Sequence, residues 1–160
     1  MARFISATVL NLGVFIVLIN TAFFVSCNTL AGSLDSQISR TLFTSKLKNN
    51  EPLDEVLVLE NDIQTLYFFS EVKNMHGKTI THRWEYRADE KYIKVFERKF
   101  KVSKKTEKLV SKFKLDSTKT GEWMVIISDE QGRPVKAAMF KYVKKGNFAG
   151  KGILPIKPKP

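Results

Sequence analysis

Short runs of β-branched and aromatic residues, separated by turn residues, fill the chain from Ile38 onward. No stretch of a dozen residues carries a convincing helical stripe of apolar side chains, whereas the short runs suit half-buried strands. The predicted strands span residues 38–44, 55–60, 64–72, 79–86, 91–103, 107–115, 122–128 and 134–143, and the first run also allows a helical interpretation. This spacing predicts an all-β fold, a small antiparallel β-sandwich of immunoglobulin-like size.

The stretch "THRWEYR" shows the alternation that orients one of these strands. Ile80, His82, Trp84 and Tyr86 fall on one side of the strand, and threonine and charged side chains fall on the other. An apolar face opposite a charged face predicts Trp84 in the core, with an exposed stacking platform as the alternative. On the same face, we expect His82 to be a hydrogen-bonded core or rim residue rather than a general base.

The start of the chain is apolar: between Phe4 and Ser26 there is no ionisable side chain. Residues 1–27 are therefore predicted to be a signal peptide or a retained transmembrane helix. A third possibility is a lipoprotein, because "FVSC" loosely resembles a lipobox with Cys27 as the acylated residue. Each of these fates exports the rest of the chain to the periplasm or the outer side of the cytoplasmic membrane, where we expect membrane association. Cys27 is the only cysteine, so the exported domain has no internal disulfide.

Composition divides the remainder into a linker at 28–37, a β-sandwich domain at 38–143 and a flexible basic tail at 144–160. The formal net charge of +11 predicts attraction to anionic partners and says nothing about the fold. Most of the excess lies in the C-terminal half, where the lysine-rich segment 98–108 is a candidate contact surface. The lysines assigned to this surface are Lys99, Lys101, Lys104 and Lys105.

Several strings occur in an order that resembles a bacterial cell-envelope family catalogued as a domain of unknown function. They follow the pattern EPxD, then HRWEY, then GxWxVxxxDxxG, and the resemblance covers about residues 38–143. The sequence departs from the family at Thr41, where alanine is expected, and in the lysine-rich strand 98–108. The resemblance implies a small β-rich envelope domain without an established reaction.

Five polar residues in or near these strings have the chemistry for ion pairing or carboxylate recognition: Arg40, Glu51, Asp54, His82 and Arg83. We expect them to form a network that docks the N-terminal strand and the EPLD turn on the sandwich, with a ligand-binding cleft as the alternative. Glu51 and Asp54 are only three positions apart in a turn, which does not favour paired-carboxylate hydrolysis. Neither a Walker-type loop, a GxSxG motif nor an HExxH motif occurs, and we predict no catalytic residue, cofactor or metal site.

These features favour a non-catalytic exported envelope module that binds a protein partner or an anionic surface of lipid or glycan. The alternative is a carbohydrate-binding module that uses Trp84 or Trp123 as an exposed platform. The run "EWMVIIS" is apolar on both faces, however, and favours burial of Trp123. An enzyme is the least favoured class, and nucleic acid is not an expected partner because an exported chain rarely meets it.

Overall fold

The structure is a computed structural model that describes residues 37–156. Strands make up most of this range, and no helix within it is long and apolar enough to cross a bilayer. The strands are β1 (Ile38–Thr44), β2 (Leu47–Lys48), β3 (Glu51–Pro52), β4 (Asp54–Val56), β5 (Val58–Glu60), β6 (Thr65–Lys73), β7 (Thr79–Ala88), β8 (Lys91–Lys101), β9 (Thr106–Lys114), β10 (Gly121–Ser128), β11 (Pro134–Val143) and β12 (Ile153–Pro155). The predicted signal or anchor segment, with Cys27, lies outside the described residues, as does nearly all of the predicted linker.

Two larger sheets carry most of the strands. The first has the order β5-β11-β10-β7-β8, and the second has the order β1-β6-β9. All neighbours in these sheets are antiparallel except β5, which pairs parallel with β11. Two short ribbons complete the fold, β2 with β3 and β4 with β12. The prediction of an all-β fold with antiparallel sheets is confirmed.

The predicted strand bounds hold along most of the described chain. Residues 38–44 and 134–143 coincide with β1 and β11, and the strand interpretation of the first run is correct. The prediction of one continuous strand over 55–60 is wrong, because the chain changes its partner strand at Leu57. β4 pairs with β12 whereas β5 pairs with β11, so the two halves of this run belong to different sheets.

Aromatic side chains from the two larger sheets meet in one core. The ring of Phe43 in β1 lies 5.6 Å from that of Trp84 in β7 and 4.7 Å from that of Phe140 in β11. The Phe68 ring in β6 lies 4.9 Å from the imidazole of His82 in β7. These contacts join the inner faces of both sheets, which makes the arrangement sandwich-like. They also confirm the alternation predicted for β7, since His82 and Trp84 both point into this core.

A tight hairpin places the EPLD segment against the three-stranded sheet. Asn49 and Asn50 link β2 to β3 with positive φ angles of 52° and 59°. Positive φ at both central residues is what a two-residue type I′ hairpin requires, and asparagine tolerates it better than most residues. The hairpin delivers Glu51 to the outward side of β1 and β9.

The basic tail predicted at 144–160 is partly ordered. Ile153–Pro155 forms β12 and pairs antiparallel with β4, so the prediction of a flexible tail is wrong for these residues. Gly152 explains the docking, because its carbonyl accepts hydrogen bonds from the amides of Leu57 and Val58 at 2.8 and 3.1 Å. Residues 157–160 lie outside the described range.

Candidate functional site

The five polar residues singled out by the sequence do not form one network. Arg40, Glu51 and Asp54 take part in docking the EPLD turn, as predicted. His82 and Arg83 point to opposite faces of β7, and His82 makes no hydrogen bond to the other four. The prediction of a shared network, or of a single cleft lined by all five, is therefore wrong, because the strand alternation separates its members.

Glu51 links two strands of the three-stranded sheet. Its Oε2 lies 3.4 Å from Arg40 Nη1, and its Oε1 pairs with Lys108 Nζ. The Arg40 guanidinium also lies over the ring of Phe69, 5.2 Å from its centroid. All three charged side chains are substantially exposed, so each ion pair contributes at most about 1 kcal/mol. Because one carboxylate faces two cations, this group of three side chains has a net positive charge.

Asp54 closes the turn that follows β1. Its Oδ1 accepts hydrogen bonds from the Thr44 hydroxyl at 2.6 Å and the Ser45 amide at 2.7 Å, and its Oδ2 accepts one from the Ser45 hydroxyl. The carboxylate is buried, and three donors compensate for its lost hydration. Asp54 therefore has a structural role.

Arg83 lies on the outward face of β7. Its Nε is 2.7 Å from Glu85 Oε1, which points to the same face of β7 but is largely buried. A cavity of about 160 Å³ opens beside Arg83, and Asp129 also lines it. Asp129 is already engaged by Arg133 Nε at 2.7 Å, so both Arg83 and Asp129 already have an ion-pair partner outside the lining of this cavity.

His82 is fully buried between the two larger sheets. Its Nε2 lies 2.9 Å from Ser70 Oγ in β6, and its Nδ1 lies 3.1 Å from Ser111 Oγ in β9. Ser111 also accepts a hydrogen bond from Trp84 Nε1 at 3.0 Å. Burial, helped by the positive charge of Arg98, lowers the pKa of His82 to about 3. The ring is consequently neutral at physiological pH.

These contacts confirm that His82 is a hydrogen-bonded core residue. Both ring nitrogens have partners and solvent does not reach the ring, so nothing supports a role as general base. Sequence reasoning missed its partners, Ser70 and Ser111. Alternation along a single strand cannot show which residues of the opposing sheet lie across from it.

Both tryptophans are buried, as the sequence pattern favoured. Trp84 is 0% exposed and Trp123 is 1% exposed. The Trp123 indole donates a hydrogen bond to the Lys119 carbonyl at 3.0 Å. The alternative of an exposed carbohydrate platform is wrong for both residues, because neither presents a ring face to solvent.

The lysine surface lies at one end of β8 and in the turn that leads to β9. All four of its side chains are exposed, namely Lys99, Lys101, Lys104 and Lys105. Of these, only Lys99 forms an ion pair with a described carboxylate, Glu97 at 3.9 Å. The other three form no ion pair with a carboxylate in residues 37–156, although the charge of Lys104 helps to lower the pKa of Glu107.

A groove of about 360 Å³ opens where β8 and β9 are the terminal strands of their sheets, on the face of β8 opposite to Lys99 and Lys101. The charged residues that line it are all cations: Arg98, Lys108 and Lys112. Its remaining described lining consists of the apolar and amide residues Leu47, Asn50, Tyr67, Phe100 and Val110. We call this feature the basic groove.

Arg98 and Lys112 each lie over an aromatic ring of the basic groove. The Arg98 guanidinium is 5.1 Å from the Phe100 centroid, and Lys112 Nζ is 5.8 Å from the Tyr67 centroid. Neither cation forms an ion pair with a carboxylate in residues 37–156. Sequence reasoning did not assign these two residues a role, although Arg98 opens the lysine-rich segment 98–108. The groove depends on how the terminal strands β8 and β9 of the two sheets are placed next to each other, and the sequence of neither strand shows this.

Metal chemistry has no evident site in the part of the chain that the structure describes. No group of three or more histidine, cysteine, aspartate or glutamate side chains in residues 37–156 is arranged to hold a metal ion. Within the same residues, the basic groove presents two cations, Arg98 and Lys112, that lie over aromatic rings.

Comparison with known families agrees with the sequence resemblance. Residues 37–156 form a small all-β domain that carries the basic groove. Residues 77–142, from the turn before β7 to the penultimate residue of β11, match the family model described as "Protein of unknown function (DUF2914)". The resemblance to a domain of unknown function is thereby confirmed, while the bacterial envelope setting stays a prediction. No curated protein matches the chain.

The family match covers only part of the candidate residues. It includes His82, Trp84 and both cations Arg98 and Lys112. Glu51 and the rest of the EPLD turn lie before it. The buried histidine and most of the basic groove therefore belong to the matched region, whereas the hairpin that completes the groove does not.

Proposed function

We propose that this chain is a non-catalytic exported envelope module that binds an anionic surface. In this proposal the β-sandwich-like domain, of immunoglobulin-like size, follows an N-terminal signal or membrane anchor. The observation that carries the proposal is the concentration of cations on both faces of β8, in the turn to β9 and on β9, most of which have no carboxylate partner in residues 37–156.

The sign and placement of these charges favour a polyanion. Each lysine near an anionic surface contributes about 1 kcal/mol before salt screening. Seven cations come from the lysine surface and the basic groove together, and Glu97 and Glu51 are the carboxylates paired with them. A phosphate-bearing lipid or glycan is the kind of surface that an exported domain meets, and both present the same chemical group.

A protein partner is less well supported by the same edges. A long free strand edge accepts an added strand from a partner, but lysines along an edge oppose such pairing. β8 carries Lys91, Lys94, Lys99 and Lys101. These charges favour an extended polyanion over a pairing strand, and a protein partner becomes the preferred interpretation if polyanions do not bind.

Binding of the full chain to fluorescently labelled polyphosphate in a neutral detergent tests the proposal. We expect binding at 50 mM salt that weakens steeply at 200 mM salt, because screening acts strongly on exposed charges. Replacing Lys99, Lys101, Lys104 and Lys105 by glutamate should weaken binding at 50 mM salt by roughly 100-fold or more.

A matched control distinguishes binding at the lysine surface from binding that depends only on the net charge of the chain. Glutamate at Lys119, Lys141, Lys144 and Lys151 changes the net charge by the same amount at exposed positions outside the lysine surface. We expect this control to lose less than about tenfold, since exposed charges beyond a Debye length are screened. Equal losses in both variants, or wild-type binding no tighter than to neutral dextran, would overturn the proposal.

A further inference from the structure

We propose that the basic groove is a defined site for one phosphate group, with Arg98 and Lys112 as its main ligands. The inference rests on the proposed function and deepens it. It distinguishes a shaped pocket from the diffuse attraction of the lysine surface. The phosphate belongs to a lipid headgroup or to a phosphorylated glycan, and the two sources are separated by the experiment below.

The charge of the groove matches a phosphate rather than a single carboxylate. Arg98 and Lys112 have no carboxylate partner in residues 37–156, and Lys108 shares Glu51 with Arg40. The groove lining therefore holds three cations, of which only Lys108 has a carboxylate partner among residues 37–156. A phosphomonoester carries a charge of about −1.5 to −2 at neutral pH and offers three acceptor oxygens, which suits several converging donors.

The two kinds of donor are complementary. The planar guanidinium of Arg98 offers a fork of N–H groups that pairs with two phosphate oxygens, and the ammonium of Lys112 acts as a compact charge for a third. Their strands, β8 and β9, belong to different sheets, so the groove presents donors from two sides. Asn50, from the β2–β3 turn, adds an amide at the rim.

The buried His82 side chain supports the groove from the core side, through Phe100. Arg98 lies over Phe100, and the Phe100 ring lies 4.8 Å from the imidazole of His82. His82 is itself fixed by Ser70 and Ser111. A guanidinium whose aromatic support is anchored in the core loses less freedom on binding than one on a free surface chain. Thus His82 is a positioning residue for the groove.

The walls of the groove suit the group that carries the phosphate. Tyr67 and Phe100 present aromatic rings, and Leu47 and Val110 add aliphatic surface. The volume of about 360 Å³ exceeds what one phosphate fills and leaves space for a sugar or glycerol unit. The apolar walls would cover the carbon face of such a unit while the cations hold its phosphate.

Calorimetric titration of the full chain in a neutral detergent tests the assignment with three probes. These are inorganic phosphate, glucose 6-phosphate as a glycan monoester, and glycerophosphoglycerol as the phosphodiester of a lipid headgroup. We expect one site per chain, with the phosphomonoester bound at least as tightly as inorganic phosphate. Tighter binding of the diester instead assigns the phosphate to a lipid headgroup, and both results support the groove.

Paired substitutions locate the site. Arg98→Gln together with Lys112→Gln should weaken binding of the best probe by about tenfold or more, because both charge-assisted contacts are lost. Lys141→Gln together with Lys144→Gln removes the same charge near β11, which β10 and β7 separate from β8, and should change binding less than about twofold. Both pairs are exposed, so an unchanged thermal transition verifies folding of each variant.

The outcomes distinguish the two proposals. If wild-type chain binds polyphosphate but the Arg98 and Lys112 variant binds the small probes as tightly as wild type, the phosphate groove is wrong and the anionic-surface proposal stands. Absence of a saturable site for all three probes overturns the groove in the same way. If wild-type chain binds no polyphosphate either, the proposed function fails as well.

Discussion

Nδ1 of His82 lies 3.1 Å from the hydroxyl oxygen of Ser111, a hydrogen bond that joins the two sheets through the core. Because Trp84 Nε1 donates to the same hydroxyl oxygen, Ser111 is free to donate its own proton to Nδ1. On the other side of the ring, Nε2 is hydrogen-bonded to Ser70 Oγ at 2.9 Å. One neutral histidine thus ties β7 to both β6 and β9.

The first prediction follows from the pKa of His82, which is lowered from 6.5 to about 3 in the folded chain. The unfolded chain binds the proton more readily, so the stabilisation is complete above pH 6.5 and is lost as pH falls towards 3. Linkage predicts that the free energy of unfolding drops by about 2 kcal/mol between pH 7 and pH 5. Urea denaturation at the two pH values measures this drop.

His82→Gln provides the control for that measurement. Glutamine keeps hydrogen-bonding capacity towards the serines but cannot titrate, so the drop between pH 7 and pH 5 should nearly vanish. Carboxylates with lowered pKa values, such as Glu107 and Asp116, act mainly at lower pH because their ordinary values are 4.5 and 3.8. An equal drop in wild type and variant would show that His82 does not govern this pH window.

The second prediction concerns Ser111, which serves two buried groups at once. Ser111→Ala leaves His82 Nδ1 and Trp84 Nε1 without their hydrogen-bond partner. Each orphaned polar group costs about 1 to 3 kcal/mol, so for the two groups we expect a loss of roughly 2 to 6 kcal/mol in unfolding free energy. Ser39→Ala, at an exposed serine of β1, should change stability by no more than about 0.5 kcal/mol. Equal effects of the two substitutions would contradict the cross-sheet role of Ser111.

The contrast between His82 and its serine partners shows which features of the core can be predicted from the sequence and which cannot. Alternation along β7 predicts the inward direction of His82 and Trp84, because side-chain direction in a strand depends only on position. It cannot predict Ser70 or Ser111, since these lie on another sheet and their placement depends on how the sheets pack. For the same reason, the basic groove could not be predicted from segment 98–108 alone.

The EPLD segment shows a second feature that the sequence could not predict, namely the direction of side chains in very short strands. Its charged residues suggested one polar network with His82, yet Glu51 faces outward to Arg40 and Asp54 binds the adjacent turn. A one-residue change in strand position reverses the direction of a side chain, so short strands such as β3 and β4 separate close sequence neighbours. The same holds for β5, which leaves β4 after a single residue and joins another sheet.

β12 was not predicted because its sequence, rich in glycine, proline and lysine, is typical of a mobile tail. Its pairing depends on a close backbone approach at Gly152. A β-carbon at this position would lie 2.3 Å from the carbonyl oxygen of Val58 and 2.9 Å from its Cβ. The backbone oxygen cannot move without disturbing β5, so only glycine permits this contact.

The third prediction is therefore that Gly152→Ala releases β12 from β4. The amides of Leu57 and Val58, which donate to the Gly152 carbonyl, should exchange at least about tenfold faster with deuterium, while exchange in β7 and β10 stays unchanged. Gly150→Ala is the matched control, because a β-carbon there meets only the half-exposed ring of Phe148, which can rotate away. Similar exchange at Leu57 and Val58 in both variants would mean that the close approach at Gly152 does not hold the C-terminal strand, and that its pairing depends on the side chains of β12 instead.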